Sequence, residues 1–175
     1  LSVARVARIT GRLVSIAIAD YPESANWKWS VAIVDDVETV NAWCMAGGRM
    51  AVYTGLFDEL ELTDDEFAQI MGHEISHALA NHTAEQMSRA MATAAGVAVI
   101  GAASDNSGTA MAGAALIANV ALTLPNSRDA ENEADIMGMV LATKAGYDPE
   151  AAVTLWQKMG DLSDDRPAEF LSTHP

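Results

Sequence analysis

The sequence predicts an α+β domain, mostly helical, with one small mixed or antiparallel sheet. Three observations predict it. Apolar residues recur at helical spacing over residues 2–19 and again from Phe67 to Leu79. Short alternating runs between Trp29 and Thr54 are separated by turn residues. Gly146, Asp148 and Pro149 then punctuate two further helices. The 175 residues suffice for one core, and with 50% hydrophobic and 19% charged residues the composition is globular rather than disordered.

Charge and cysteine content exclude some function classes. The formal net charge of −14 repels phosphate backbones, so nucleic acid is not an expected partner. Cys44 is the single cysteine, which rules out an internal disulfide and a cysteine-based zinc knuckle.

In chain order, Val3, Val6, Ile9, Leu13, Ile16 and Ala17 form one face of an amphipathic helix, with Arg5, Arg8 and Arg12 elsewhere on it. Tyr21-Pro22 and Asn26 break it. Trp29, Val31 and Ile33 predict a first strand, Val40 to Met45 a second, and Met50, Val52 and Thr54 a third after the Gly47-Gly48 turn. Thr63-Asp64-Asp65-Glu66 reads as a capping box with acids in the first turn, opening a helix through Phe67, Ile70, Met71, Ile75, Leu79 and beyond. Pro125-Asn126-Ser127 opens another helix, capped by Asn126 or Ser127 and closed at Gly146. Asp148 is expected to cap the last helix, which carries Ala152, Leu155, Trp156 and Met159.

Residues 90–127 contain one charged residue, Asp105. Two Ala/Gly-rich stretches flank Ser104 to Gly108, with small residues every four positions (Ala94, Ala98, Ala102; Ala110, Ala114, Ala118). Each is shorter than the ~20 residues of a membrane span. One reading is a helical hairpin buried against the domain. The other is a mobile lid or a peripheral membrane contact through 90–124.

The chemistry is concentrated in His73-Glu74-Ile75-Ser76-His77, an H-E-x-x-H motif inside a helix predicted on independent grounds. Positions four apart lie about 40° from each other on a helix, so both imidazoles leave one face, as two ligands of one zinc ion require. Glu74 can reach a metal-held water without being a ligand. The plainer reading is a surface helix with polar histidines, but Ile70, Met71, Ile75 and Leu79 surround the motif, and buried histidines need partners.

A catalytic zinc ion takes a third protein ligand. His82 lies about 140° around the helix from His77 and points away. Ala80 and Thr83 stand where the longer metzincin pattern needs Gly and His, which excludes that class. A carboxylate on another helix is the expected source. Glu131 and Asp135, four apart in Ser127 to Asp135, share a face: Glu131 could bind zinc while Asp135 holds a ligand histidine in orientation. An exposed acidic helix start is the alternative for this run. Glu133 should face elsewhere.

The motif H-E-I-S-H, followed by S-R-x-x-E-x-E-A-D-x-x-G and A-G-Y-D-P, resembles the gluzincin endopeptidases of the HtpX and CAAX prenyl protease type. It is most similar to their soluble envelope branch, with the BepA-like enzymes and a related mitochondrial inner-membrane protease. Asn41-Ala42-Trp43, Gly47-Gly48 and Val52-Tyr53-Thr54-Gly55-Leu56 are also similar, so the resemblance runs from about residue 29 to the end. It implies a zincin-like fold, one zinc ion on His73, His77 and Glu131, and Glu74 as general base. It implies a metalloendopeptidase acting on extended or misfolded protein substrates in cell-envelope quality control, in a bacterial periplasm or at its membranes. In related envelope members a histidine of a His-Pro pair occupies the open zinc position. Here that is His174, which would be a fourth ligand and latency switch, or a plain tail residue. The C-terminus shows no helix stop, so residues 1–175 read as a single metallopeptidase catalytic domain truncated at its C-terminal end.

An extended substrate is expected to add as a strand near residues 41–54. Tyr53 and Arg128 are candidates for a second electrophile. Two other function classes stand beside the peptidase: a non-catalytic zinc-containing chaperone or binding module, which the intact Glu74 argues against, and a membrane-surface sensor built on residues 90–124.

Overall fold

A computed structural model of the chain describes residues 2–80, 91 and 128–165. The expected 90–124 hairpin (Met91 apart), the Asn126 or Ser127 cap, His82 and His174 lie outside the described residues.

The helix that carries H-E-x-x-H is the centre of the fold. It runs over Asp64–Leu79, here α3, and both capping-box bonds are made: the Glu66 N–H donates to Thr63 Oγ1 at 3.2 Å, and the Thr63 N–H donates to Glu66 Oε2 at 2.9 Å. Every residue from Glu66 to Leu79 is buried. A helix covered on all sides belongs inside the core, and its polar side chains must find partners. Gln69 donates to the Asp148 carbonyl at 3.0 Å, and the Ser76 hydroxyl returns to the Gly72 carbonyl at 2.7 Å. The helix stops at Leu79, short of the longer run expected.

Four layers cover it. The first is α1, Val3–Asp20, which buries Val6, Ile9, Leu13 and Ala17 on the predicted face. Arg5 and Arg8 reach from it to Asp64 and tie it to the start of α3. A 3-10 turn over Pro22–Asn26 leads into the sheet. Strand β1 (Ser30–Val34) pairs in parallel with β3 (Arg49–Tyr53), with Ser30 opposite Arg49 and Val34 opposite Tyr53. Strand β2 (Ala42–Met45) pairs antiparallel with β3, with Ala42 opposite Val52. The order β1-β3-β2 makes a mixed sheet, and β2 lies against α3. Gly47 and Gly48 turn β2 into β3 at φ +92° and +85°, a region open to glycine.

Thr54 does not extend β3, as its alternation suggested. It opens α2, Thr54–Leu60, which buries Leu56, Phe57 and Leu60. Its hydroxyl accepts the Asp36 N–H at 2.9 Å, so the β1–β2 loop anchors the start of this helix. Helix α4, Arg128–Lys144, crosses α3, and Gly146 ends its turn at φ +91°. Asp148 accepts the Glu150 N–H at 2.9 Å and leads into α5, Ala151–Asp165.

Two contacts fix the helices around α3. Gly72 of α3 faces Gly138 of α4: a Cβ on Gly138 would stand 2.6 Å from the His73 nitrogen, and one on Gly72 would stand 2.7 Å from the Gly138 carbonyl. The two backbones touch. At the other end of α3, Glu66 is 2% exposed and accepts Thr154 at 2.8 Å and Lys158 at 2.8 Å, both from α5. Burial works against its charge, but the hydrogen bonds from Lys158, the Thr63 N–H and Thr154 outweigh that, so its pKa is lowered.

Gly138→Ala is expected to destabilise the domain by about 1–3 kcal/mol through overpacking. Gly11→Ala, with nothing within 4 Å on α1, should be neutral or stabilising by about 0.4–1 kcal/mol. Thermal unfolding of both variants checks the contrast; equal midpoints would count against the backbone contact. A lowered folded-state pKa contributes stability that is complete above the unfolded value, about 4.3, and is lost as pH falls through the folded value. The stability gap between wild type and Glu66→Gln, followed by urea unfolding, should be open at neutral pH and shrink below about pH 4.3. A gap unchanged into strong acid would contradict the network.

Candidate metal centre

The helical repeat places His73 and His77 one turn apart on α3, and the α3–α4 crossing sets Glu131 opposite them. The His73 and His77 Nε2 atoms are 3.0 Å apart. Glu131 Oε2 lies 3.3 Å from His73 Nε2, and its Oε1 lies 3.2 Å from His77 Nε2. All three residues are buried, and one donor atom from each falls within 4.8 Å of the others.

This donor set fits zinc. With bonds of about 2.0–2.2 Å to nitrogen and oxygen, a tetrahedron holds its donors about 3.3–3.6 Å apart. The three separations found, 3.0, 3.2 and 3.3 Å, lie at or just inside that spacing. The two carboxylate distances involve different oxygens, and one donor atom from each residue, all within 4.8 Å of one another, would supply three of the four ligands of such an ion.

Asp135, one turn after Glu131, lies 2.9 Å from His73 Nδ1, its side chain 46% exposed. If Nδ1–H donates to Asp135, the lone pair of the neutral ring is on Nε2, facing the cluster. Burial works against charge on His73, yet its hydrogen bonds to Asp135 and Glu131, with the nearby Glu74 and Glu131 charges, outweigh it and push the pKa up to about 10. His77 shifts the other way, lowered chiefly by burial. The carboxylates around the two rings thus favour positive charge here, as a bound cation would supply.

Glu74 is 3% exposed. Its charge acts on His73 and His77, and also on Cys44 of β2, whose thiol is pushed up by burial first and by Glu74 second. Strand β2 therefore runs beside the carboxylate that follows the first histidine.

His73, Glu74, His77, Glu131 and Asp135, all named from sequence, come together. Glu133 is exposed, as its helical angle required. Tyr53 closes β3 half-buried and Arg128 opens α4 exposed. Sequence reasoning missed the Gly72–Gly138 contact and the position of Cys44. The glycine that closes E-x-E-A-D-x-x-G was the available signal for the first. The inward phase of Ala42 and Cys44 on β2 was the signal for the second.

Comparison with known proteins agrees with this arrangement. The signature of peptidase family M48 matches residues 2–175. The chain is similar to the mitochondrial metalloendopeptidase OMA1 of Arabidopsis thaliana, 38% identical over 149 residues, covering 84% of this chain and 29% of that protein. It is similar to metalloprotease YcaL of Escherichia coli, 32% identical over 140 residues, covering 78% of this chain and 53% of that protein. It is also similar to the beta-barrel assembly-enhancing protease of Escherichia coli, 29% identical over 147 residues, covering 79% and 30%. The chain thus spans about a third to a half of the length of these relatives. The match along nearly its whole length, with the paired imidazoles and carboxylate in place, makes this chain a member of peptidase family M48.

Proposed function

We propose that residues 1–175 form the catalytic domain of a zinc-dependent metalloendopeptidase that hydrolyses peptide bonds in extended or misfolded proteins. The observation that carries this reading is the convergence of His73, His77 and Glu131 at zinc-like spacing beside a buried Glu74. A bound zinc ion supplies Lewis acidity to water and to the scissile carbonyl. Glu74 takes the proton from the attacking water and returns it to the leaving amine. Asp135 fixes the His73 ring so that Nε2 stays turned inward.

The substrate adds as a strand to the outer edge of β2. Among the described residues no strand pairs with that edge, and Cys44 sets it beside Glu74. Main-chain hydrogen bonds would then hold any extended segment, whatever its side chains. Cell-envelope quality control, in a bacterial periplasm or at its membranes, is supported by the likeness to a beta-barrel assembly-enhancing protease. No helix among the described residues is long and apolar enough to cross a membrane. The weakly charged 90–124 stretch supports a peripheral membrane contact.

With unfolded casein as substrate, Glu74→Gln should lower turnover by at least about 10²-fold while zinc content, read by elemental analysis, stays at one ion per chain. Cleavage by the variant at the wild-type rate would overturn Glu74 as general base, and zinc-loaded wild type without cleavage would leave a zinc-holding chaperone or binding module as the better reading. Asp135→Asn should weaken zinc binding by about 10–100-fold in chelator competition. Unchanged affinity would show that Asp135 does not act on the ligand. Liposome flotation checks the membrane contact: wild type should float with vesicles, and a protein that stays at the bottom has none.

A further inference from the structure

Acidic residues run through the chain but spare the sheet. Of the 24 Asp and Glu, none lies in residues 24–34 or 39–57, which together hold all three strands. The charges in those stretches are Lys28 and Arg49. The fold brings both to one end of the sheet, at the Gly47-Gly48 turn. The Lys28 N–H donates to the Gly47 carbonyl at 3.0 Å, and Arg49 stands in one row with Ser30 of β1 and Met45 of β2. Lys28 and Arg49 are exposed, and Met45 is 51% exposed. Elsewhere Asp64 holds Arg5 and Arg8, Asp20 holds Lys144 and Glu66 holds Lys158. Among the described residues no carboxylate holds Lys28 or Arg49 in this way.

Two tryptophans flank Lys28. Trp29 covers Gly48, where a Cβ would stand 2.8 Å from the indole, and its Nε1 donates to the Ser24 carbonyl at 2.9 Å. Trp27 leans on Trp29 with ring centroids 5.3 Å apart, and both rings stay half-buried. The end of the sheet thus offers two indoles, a thioether and two cations without a neighbouring carboxylate.

We infer that this end of the sheet is a docking surface for an anionic lipid interface. Indoles settle where hydrocarbon meets water, because they bury carbon and keep a polar N–H. Lys and Arg lay their stems along such a surface and hold the charge at the level of the lipid phosphates. The net charge of −14 opposes the approach. At physiological ionic strength, however, charges farther than about 8 Å are largely screened, so the nearest face decides. Asp35, Asp36 and Glu38 follow β1 at its opposite end. At ~3.3 Å per residue, the strand keeps them about 13–17 Å from the Lys28 end. Glu23, the acid nearest to Lys28 in sequence, makes no ion pair with it. This contact is separate from residues 90–124 and does not depend on the peptidase reading. It would hold the β2–β3 turn, and with it one end of the β2 edge, at headgroup level.

The whole chain is sedimented with vesicles of phosphatidylcholine alone or of phosphatidylcholine with phosphatidylglycerol. Binding should be clearly tighter to the anionic vesicles. Lys28→Gln and Arg49→Gln should each weaken it about fivefold, the worth of one cation near such a surface, and the double variant about 25-fold. Arg12→Gln makes the same change of charge on an exposed site of α1 and should stay within about twofold. Depth is read in Trp156→Phe protein, which leaves Trp27, Trp29 and Trp43 as fluorophores. Their emission should move to the blue on anionic vesicles and be quenched by brominated lipid. Equal binding to both vesicle types, or a double variant that binds like wild type, would overturn the surface, the latter by placing the contact elsewhere. So would unquenched emission from the three tryptophans. Binding to polyglutamate with none to either vesicle would replace lipid by an acidic protein partner.

Discussion

The domain depends on one contact between two helix backbones. Gly72 and Gly138 have no side chain to separate α3 from α4, so the two main chains meet at distances that any Cβ would forbid. Packed helices ordinarily keep their axes about 8–10 Å apart. Closer approach shortens the reach required of every side chain beyond the crossing. That is why the short carboxylate of Asp135 reaches His73 Nδ1 directly, and why both oxygens of Glu131 come within 3.3 Å of imidazole nitrogens.

The closeness carries an electrostatic cost that the fold meets inside the site. Glu74, Glu131 and both histidines are buried, and unpaired charge there would be expensive. The neighbouring carboxylates raise the pKa of His73, while burial lowers that of His77. A protein that only needed a stable core would do better with apolar residues at these positions. The cluster therefore reads as a cation site. The rest of α3 shows the same care. Three further polar residues on its buried length are tied to specific neighbours: Glu66 to α5, Gln69 to the turn before α5, Ser76 to its own helix.

The surrounding layers divide the labour. The sheet gives β2 an edge beside Glu74, and the turn at Gly47-Gly48 sets the register of that edge. Helix α5, clamped through Glu66, closes the far side and lines the cavity next to His73. One helix thus presents the two imidazoles, Glu74 and the cavity wall along successive turns, with different elements opposite each.

Much of this was legible in the residues. Periodicity and the capping box located α1, α3 and the strands, since those signals arise from local backbone bonding and a single buried face. The spacing of His73 and His77, and of Glu131 and Asp135, followed from the helical repeat alone. That Glu131 serves the histidines was an inference from a missing ligand and a resemblance, because no local rule ties residues so far apart. Only the tertiary structure brought them together, through a glycine contact that looks unremarkable in either helix by itself. Likewise the start of α2 at Thr54 depended on a loop bond to Asp36, and the pocket on which faces of α3, α4 and α5 meet. Sequence by itself determined what each segment could be and which groups could act. The packing decided which of them face one another, because contacts between distant segments are set by shape and close approach, which no local pattern encodes.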